Sequence, residues 1–163
     1  MSNATSDIKE AAAKYKRLRL RVITPTKQAF DGDCDMVILQ TIDGQIGVMP
    51  GHIPVTTILG LGFMRVYDGE LIETFAVFGG FCEINQESVT VLADVAEHPG
   101  EIDTERARQA KERAERRIKE HQQDLDEKRA KLALRRALVR LEMSGIPTSQ
   151  TTSQAAAQTA AKK

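Results

Sequence analysis

An antiparallel β-sandwich or barrel followed by a two-helix antiparallel hairpin is the fold class this sequence predicts, and three observations carry it. Short β-rich runs, the first alternating apolar and polar residues, crowd residues 18–93. Asp-Gly pairs at Asp31–Gly32, Asp43–Gly44 and Asp68–Gly69 punctuate them. From Ile102 onward these runs give way to a charge-dense stretch with helical spacing.

Taken in order, "LRLRVI" from Leu18 sets Leu18, Leu20 and Val22 against Arg19 and Arg21, the period of a half-buried strand. "MVILQ" from Met36, "FMRVY" from Phe63, "LIETFAVF" from Leu71 and "SVTVLA" from Ser88 are β-rich runs bounded by turn residues. The Asp-Gly pairs tolerate the positive φ of tight hairpins. Strands this closely spaced build an antiparallel unit of roughly 80 residues. No helical period interrupts them, which argues against a doubly wound α/β fold.

Residues 101–142 carry 13 basic and 10 acidic residues, half of the 46 charges of the 163-residue chain. Asp103 is placed to cap a helix, with Ile102 before it as a staple onto Ala107. Arg106 stands where a full capping box would have Glu or Gln. Ala107, Ala110 and Ala114 mark one narrow face, extended by Ile118, and "HQQD" breaks the spacing. A second helix follows, with Leu125, Leu132 and Val139 seven apart and Leu134, Leu138 and Leu141 beside them; Gly145 and Pro147 stop it. Opposite charges four apart, Glu112–Arg116, Glu115–Lys119, Asp124–Lys128 and Glu127–Lys131, support both helices in water. The seam between them is thin, and isolated helices are marginal, so the hairpin requires the sandwich, a ligand or a partner. The chain thus divides into a disordered extension over 1–15, a β-sandwich over 16–98, a helical hairpin over 99–145 and a disordered tail over 146–163.

Composition narrows the function. Apolar residues make up 41% and charged residues 28%, and the formal net charge is zero, so no global basic field recruits polyanions. No apolar run approaches the roughly 20 residues of a membrane span, and the first twenty residues lack the apolar core of a signal peptide. Cys34 and Cys82, far apart and outside any CxxC, read as reduced and buried. His52, His98 and His121 form no metal constellation. GxxxxGK[ST] and any Ser-His-Asp set are absent, and the pairing of Glu97 with His98 stands alone, so a non-catalytic protein is expected. Acids interleave with the arginines and the helices hold no aromatic residue, which argues against nucleic acid as a partner.

"TIDGQIGVMPGHIPVTTILGLG" from Thr41, "GGFCEI" from Gly79, "VTVLADVAE" from Val89 and "EIDTERARQAKERAERR" from Glu101 together resemble the epsilon subunit of bacterial F-type ATP synthase. The resemblance is collinear from about Leu18 to Met143. It implies a sandwich of about ten strands and a rotor-stalk subunit that links gamma to the c-ring. It also implies regulation of ATP hydrolysis at the alpha/beta catalytic head through mobile C-terminal helices. Such a subunit is peripheral to the membrane, on the cytoplasmic face of the bacterial plasma membrane, and touches it only through the complex. No cofactor is required; ATP enters as a regulatory ligand.

"IDTERA" matches the I(L)DxxRA pattern of epsilon subunits that bind ATP without cleaving it. By that similarity Glu97, Ile102, Asp103, Arg106 and Ala107 surround base and ribose, and Arg113, Arg136 and Arg140 face the phosphates. Arg136 and Arg140 are four apart and share a helical face, and a folded hairpin brings Arg113 toward them. The competing reading makes all three solvated charges paired with neighbouring acids. The resemblance also sets Asp43, Gly44 and Gln45 near the c-ring with His52 close by, Gln45 replacing an acid common in relatives. A plain alternative for His52 is a sheet turn in which a backbone carbonyl satisfies its ring. At the level of function, the alternative is a passive structural coupling subunit with no nucleotide response.

Overall fold

Leu18, Leu20 and Val22 are fully buried while Arg19 and Arg21 are exposed, so β1 (Leu18–Ile23) lies where the alternation predicts. The computed structural model describes residues 17–119, 124–146 and 150–151. The N-terminal extension, the His121–Gln123 break and most of the tail lie outside the described residues.

The other strands are β2 (Gln28–Cys34), β3 (Met36–Thr41), β4 (Gly44–Val48), β5 (Val55–Ile58), β6 (Leu61–Asp68), β7 (Leu71–Phe78), β8 (Gly80–Ile84), β9 (Ser88–Ala93) and β10 (Ala96–Glu97). Two sheets form, in the orders β2-β1-β9-β8-β5 and β10-β7-β6-β3-β4. Their inner faces meet over a core that includes Leu20, Val37, Leu39, Met64, Ile84 and Val91. One ladder departs from the antiparallel expectation. β1 and β9 run parallel, and the long excursion of the chain between them supplies the crossover that parallel neighbours need.

Two of the three Asp-Gly pairs turn hairpins. Thr41 pairs with Gly44 across Ile42 and Asp43, and Asp68 pairs with Leu71 across Gly69 and Glu70. Asp31–Gly32 does not turn; it sits inside β2, opposite Arg21 and Leu20, with the Phe30 ring packed where a Gly32 side chain would stand. A third special glycine explains "GGF". Gly80 has φ +105°, and a Cβ there would lie 2.2 Å from the Leu92 carbonyl oxygen, so only glycine lets β8 start this close to β9.

A 3₁₀ turn (Pro99–Glu101) leads to α1 (Thr104–Lys119) and α2 (Asp124–Ser144). Buried alanines seven apart, Ala107 and Ala114 on α1 and Ala130 and Ala137 on α2, let the helices approach closely. The leucine seam expected on α2 is placed differently. Leu132 and Leu138 are 42% and 44% exposed. The stripe through Val139 instead continues to Met143 and Ile146 and meets the sandwich, where Met143 is fully buried against Ala76 and Phe78. Of the expected helical ion pairs Glu127–Lys131 forms at 2.6 Å, while Glu115 pairs with Lys111. Within the stretch expected to be a structureless tail, Ile146 packs on this cluster and β11 (Gln150–Thr151) pairs with β7.

Candidate functional site

β7 is buried on both faces from Thr74 to Phe78, because one face meets the core and the other meets α2. That double burial brings the helical hairpin against the sheet edge and creates a cleft of about 390 Å³, within the roughly 300–1,000 Å³ of small-ligand sites.

Each wall has a local cause. Glu97 comes from β10, which pairs with β7 opposite Ala76. Asp103 accepts a hydrogen bond from the Arg106 backbone N–H at 2.9 Å, capping α1 as the sequence predicts. The cap fixes the start of α1, so Arg106, Ala107, Ala110 and Arg113 line the cleft along one helical face. Ile102 also lines it and packs on the Met143 cluster. Glu101 accepts from the His98 backbone N–H at 2.9 Å and from the Lys27 ammonium. The His98 N–H, then Lys27, hold its carboxyl below the usual carboxylate range.

Arg140 closes the cleft from α2. Its Nε and Nη2 donate to the two Glu97 oxygens at 2.8 and 2.9 Å, and its guanidinium stacks on the Phe78 ring, 4.5 Å from the centroid. Arg106 and Arg113 make no side-chain hydrogen bond or ion pair among the described residues, so two uncommitted guanidinium groups face the cleft beside a committed one. Forked guanidinium donors suit phosphate oxygens.

Seven of the eight residues singled out for nucleotide therefore converge: Glu97, Ile102, Asp103, Arg106, Ala107, Arg113 and Arg140. Arg136 does not; it is exposed on α2 and away from the lining. Sequence reasoning missed Phe78, Met143 and Lys27. The unbroken apolar run "FAVF" signals a doubly buried strand, and Val139, Met143 and Ile146 share a helical spacing that points to a docking face. Nothing local marks Lys27, whose partner is 74 residues away.

The loop residues divide. Asp43, Gly44 and Gln45 form the β3–β4 hairpin, with Asp43 and Gln45 exposed. His52 lies in the turn after β4, beyond the strand end at Val48. Its Nδ1 donates to the Ile53 carbonyl at 2.7 Å, the plain reading of that residue.

A second surface was not foreseen. Ile58, Phe81, Leu92 and Ile23 are successive register partners on β5, β8, β9 and β1, forming an apolar row across the outer face of one sheet. Ile58 is 57% and Phe81 47% exposed, and the Ile42 N–H donates to the Ile58 carbonyl, joining the row to the β3–β4 hairpin. Two residues along each strand the row becomes Thr56, Glu83, Thr90 and Arg21. A contiguous apolar strip bordered by polar residues marks an interaction surface.

Among the described residues no helix is long and apolar enough to cross a membrane, and no group of three residues is placed to hold a metal ion.

Comparison with known proteins places these features in a family. The family model for the ATP synthase delta/epsilon chain β-sandwich domain matches residues 17–99, and that for its long α-helix domain matches residues 101–145. The ATP synthase epsilon chain of Halalkalibacterium halodurans is 46% identical over 63% of this chain and 77% of its own. That of Caldanaerobacter subterraneus subsp. tengcongensis is 40% identical over 79% and 94%. In fold, a chain of the Euglena gracilis mitochondrial ATP synthase (OSCP/F1/c-ring) aligns with a TM-score of 0.68 at 22% identity, covering 77% of this chain and 79% of that one. A chain of the Tetrahymena thermophila mitochondrial ATP synthase central stalk and c-ring aligns with a TM-score of 0.54 at 12% identity, covering 80% and 98%.

Proposed function

This chain belongs to the ATP synthase delta/epsilon family, among the epsilon chains, and from that premise we propose that it is a non-catalytic rotor-stalk subunit. In this reading it joins gamma to the c-ring and restrains ATP hydrolysis at the alpha/beta head through its helical hairpin. ATP is the regulatory ligand, and the membrane, the bacterial plasma membrane at its cytoplasmic face, is reached only through the complex. The apolar row from Ile58 to Ile23 and the adjoining Asp43–Gln45 hairpin offer surfaces for such stalk partners.

The observation that carries the nucleotide part is the convergence of Arg106, Arg113 and Arg140 on one cleft between sandwich and hairpin. Both bodies contribute walls, so a ligand there contacts the compact posture and loses contacts when the hairpin leaves. That difference in binding is the only means by which a ligand shifts a conformational equilibrium. Moving the population from 1:99 to 99:1 takes about 5.5 kcal/mol, within reach of several charge-assisted contacts. In the extended posture the basic helices meet the catalytic head and block rotation in the hydrolysis direction.

Calorimetric titration of ATP into the full chain, with magnesium varied, tests the sensor. Saturable binding that Arg113→Ala abolishes is expected; heat indistinguishable from dilution leaves the passive coupling subunit as the function. A chain cut after Glu101 and reconstituted into the enzyme should relieve inhibition, and inhibition equal to that of the full chain ends the regulatory role.

A further inference from the structure

The cleft that gathers three arginines also carries three carboxylates, Glu97, Glu101 and Asp103, and the geometry points to Glu97, which pairs with the Arg140 side chain, as a resident counterion that opposes anionic ligands and selects for long ones. This rests on the nucleotide reading and adds to it, because the family resemblance assigns Glu97 to base and ribose, not to Arg140. Glu97 occupies two donors of Arg140 at once, and both side chains are largely sheltered, at 24% and 30% exposure. Phe78 fixes the plane of the guanidinium from a third side, so Arg140 cannot swing toward a ligand without leaving the ring. An incoming phosphate oxygen meets Arg140 only by displacing the Glu97 carboxylate or by lying against it, and either raises the free energy of binding. Among the described residues Arg106 and Arg113 make no such side-chain pair, and the other two cleft carboxylates are engaged elsewhere, Asp103 with the Arg106 backbone N–H and Glu101 with the His98 backbone N–H and Lys27. A single phosphate on those two gains little from Arg140, whereas a chain of phosphates spanning α1 and α2 offsets the exchange with additional contacts. The chemical class selected is a polyphosphate chain.

Titration with inorganic tripolyphosphate, which has neither base nor ribose, isolates this effect. In the full chain Glu97→Gln, close in shape and neutral, should bind tripolyphosphate about tenfold more tightly than wild type. Met143→Ala loosens the same helix without altering charge and should bring no gain. Orthophosphate should bind far more weakly than tripolyphosphate to both wild type and Glu97→Gln. Unchanged or weaker tripolyphosphate binding in Glu97→Gln, an equal gain in Met143→Ala, or orthophosphate binding as tightly as tripolyphosphate overturns the proposal. If wild type still binds ATP in that case, the nucleotide reading stands alone. If no variant takes up ATP or tripolyphosphate, both readings fall.

Discussion

Arg140 is held from two directions, by both oxygens of Glu97 and by the face of Phe78, and it is the point where the sheet, the helix and the cleft meet. Arg140→Ala should weaken hairpin docking by about 1–2 kcal/mol, since it removes a charge-assisted pair and a ring contact at once. Faster hydrogen exchange of α2 amides, with the sandwich unaffected, is the readout. Arg140→Lys should restore only part, because an ammonium neither forks nor stacks. The two cysteines behave differently. Burial pushes both Cys34 and Cys82 from an ordinary 9.0 to about 11. The folded state favours the protonated thiols, so their contribution is complete below pH 9 and is lost as pH rises through 11. Denaturant midpoints should fall across that window, and Cys34→Ser with Cys82→Ser should flatten the fall. At Gly80 the close approach of Leu92 leaves no room for a methyl group, so Gly80→Ala should cost several kcal/mol, about the upper range for single substitutions, or prevent folding.

At the scale of elements, α2 serves two neighbours with two stripes. Ala130 and Ala137 face α1, and Val139, Met143 and Ile146 face the sandwich. Met143→Ala should therefore cost about 2–5 kcal/mol, felt as undocking of the hairpin rather than loss of the β core. Helical circular dichroism should melt well below the sandwich transition in that variant. A single cooperative melt, shifted as a whole, would mean that the two parts unfold together and that the hairpin does not move independently. α1 depends on its cap: Asp103→Ala removes the acceptor for the Arg106 N–H and should cost about 1 kcal/mol of helix stability.

For the whole molecule, the junction between sandwich and hairpin is pinned at residues 97–103. Glu101 ties the His98 backbone to Lys27 on the β1–β2 turn and so links the first hairpin of the sandwich to the start of the helices. Because its folded carboxyl lies below the ordinary 4.5, its contribution is present above pH 4.5 and is lost as pH falls through the folded value. Mild acid should loosen the junction before the sandwich, and Glu101→Gln should remove that early step in a pH titration of α1 amide exchange. Removing the hairpin uncovers Ala76 and Phe78, now fully or nearly buried. A chain ending at Glu101 should fold, yet bind a hydrophobic dye that the full chain does not.

β1 was legible in the residues because alternation encodes which side meets the core, and β3, β6 and β9 because β-rich runs bounded by turn residues mark strands. The start of α1 was legible because Asp103 acts on a backbone group three residues away. Contacts between residues distant in sequence were not. The parallel β1–β9 ladder, the Lys27–Glu101 pair, the double burial of β7 and the partner of Arg140 all depend on how separate elements meet. Local spacing therefore determined the elements, and the resemblance carried by the motifs named seven of the nine residues that line the cleft. Tertiary packing alone decided that α2 turns its Met143 stripe to the sheet, that Arg136 stays in solvent, and that Glu97 answers Arg140 before any ligand does, because a long-range contact is selected by shape and burial and leaves no periodic trace in the chain.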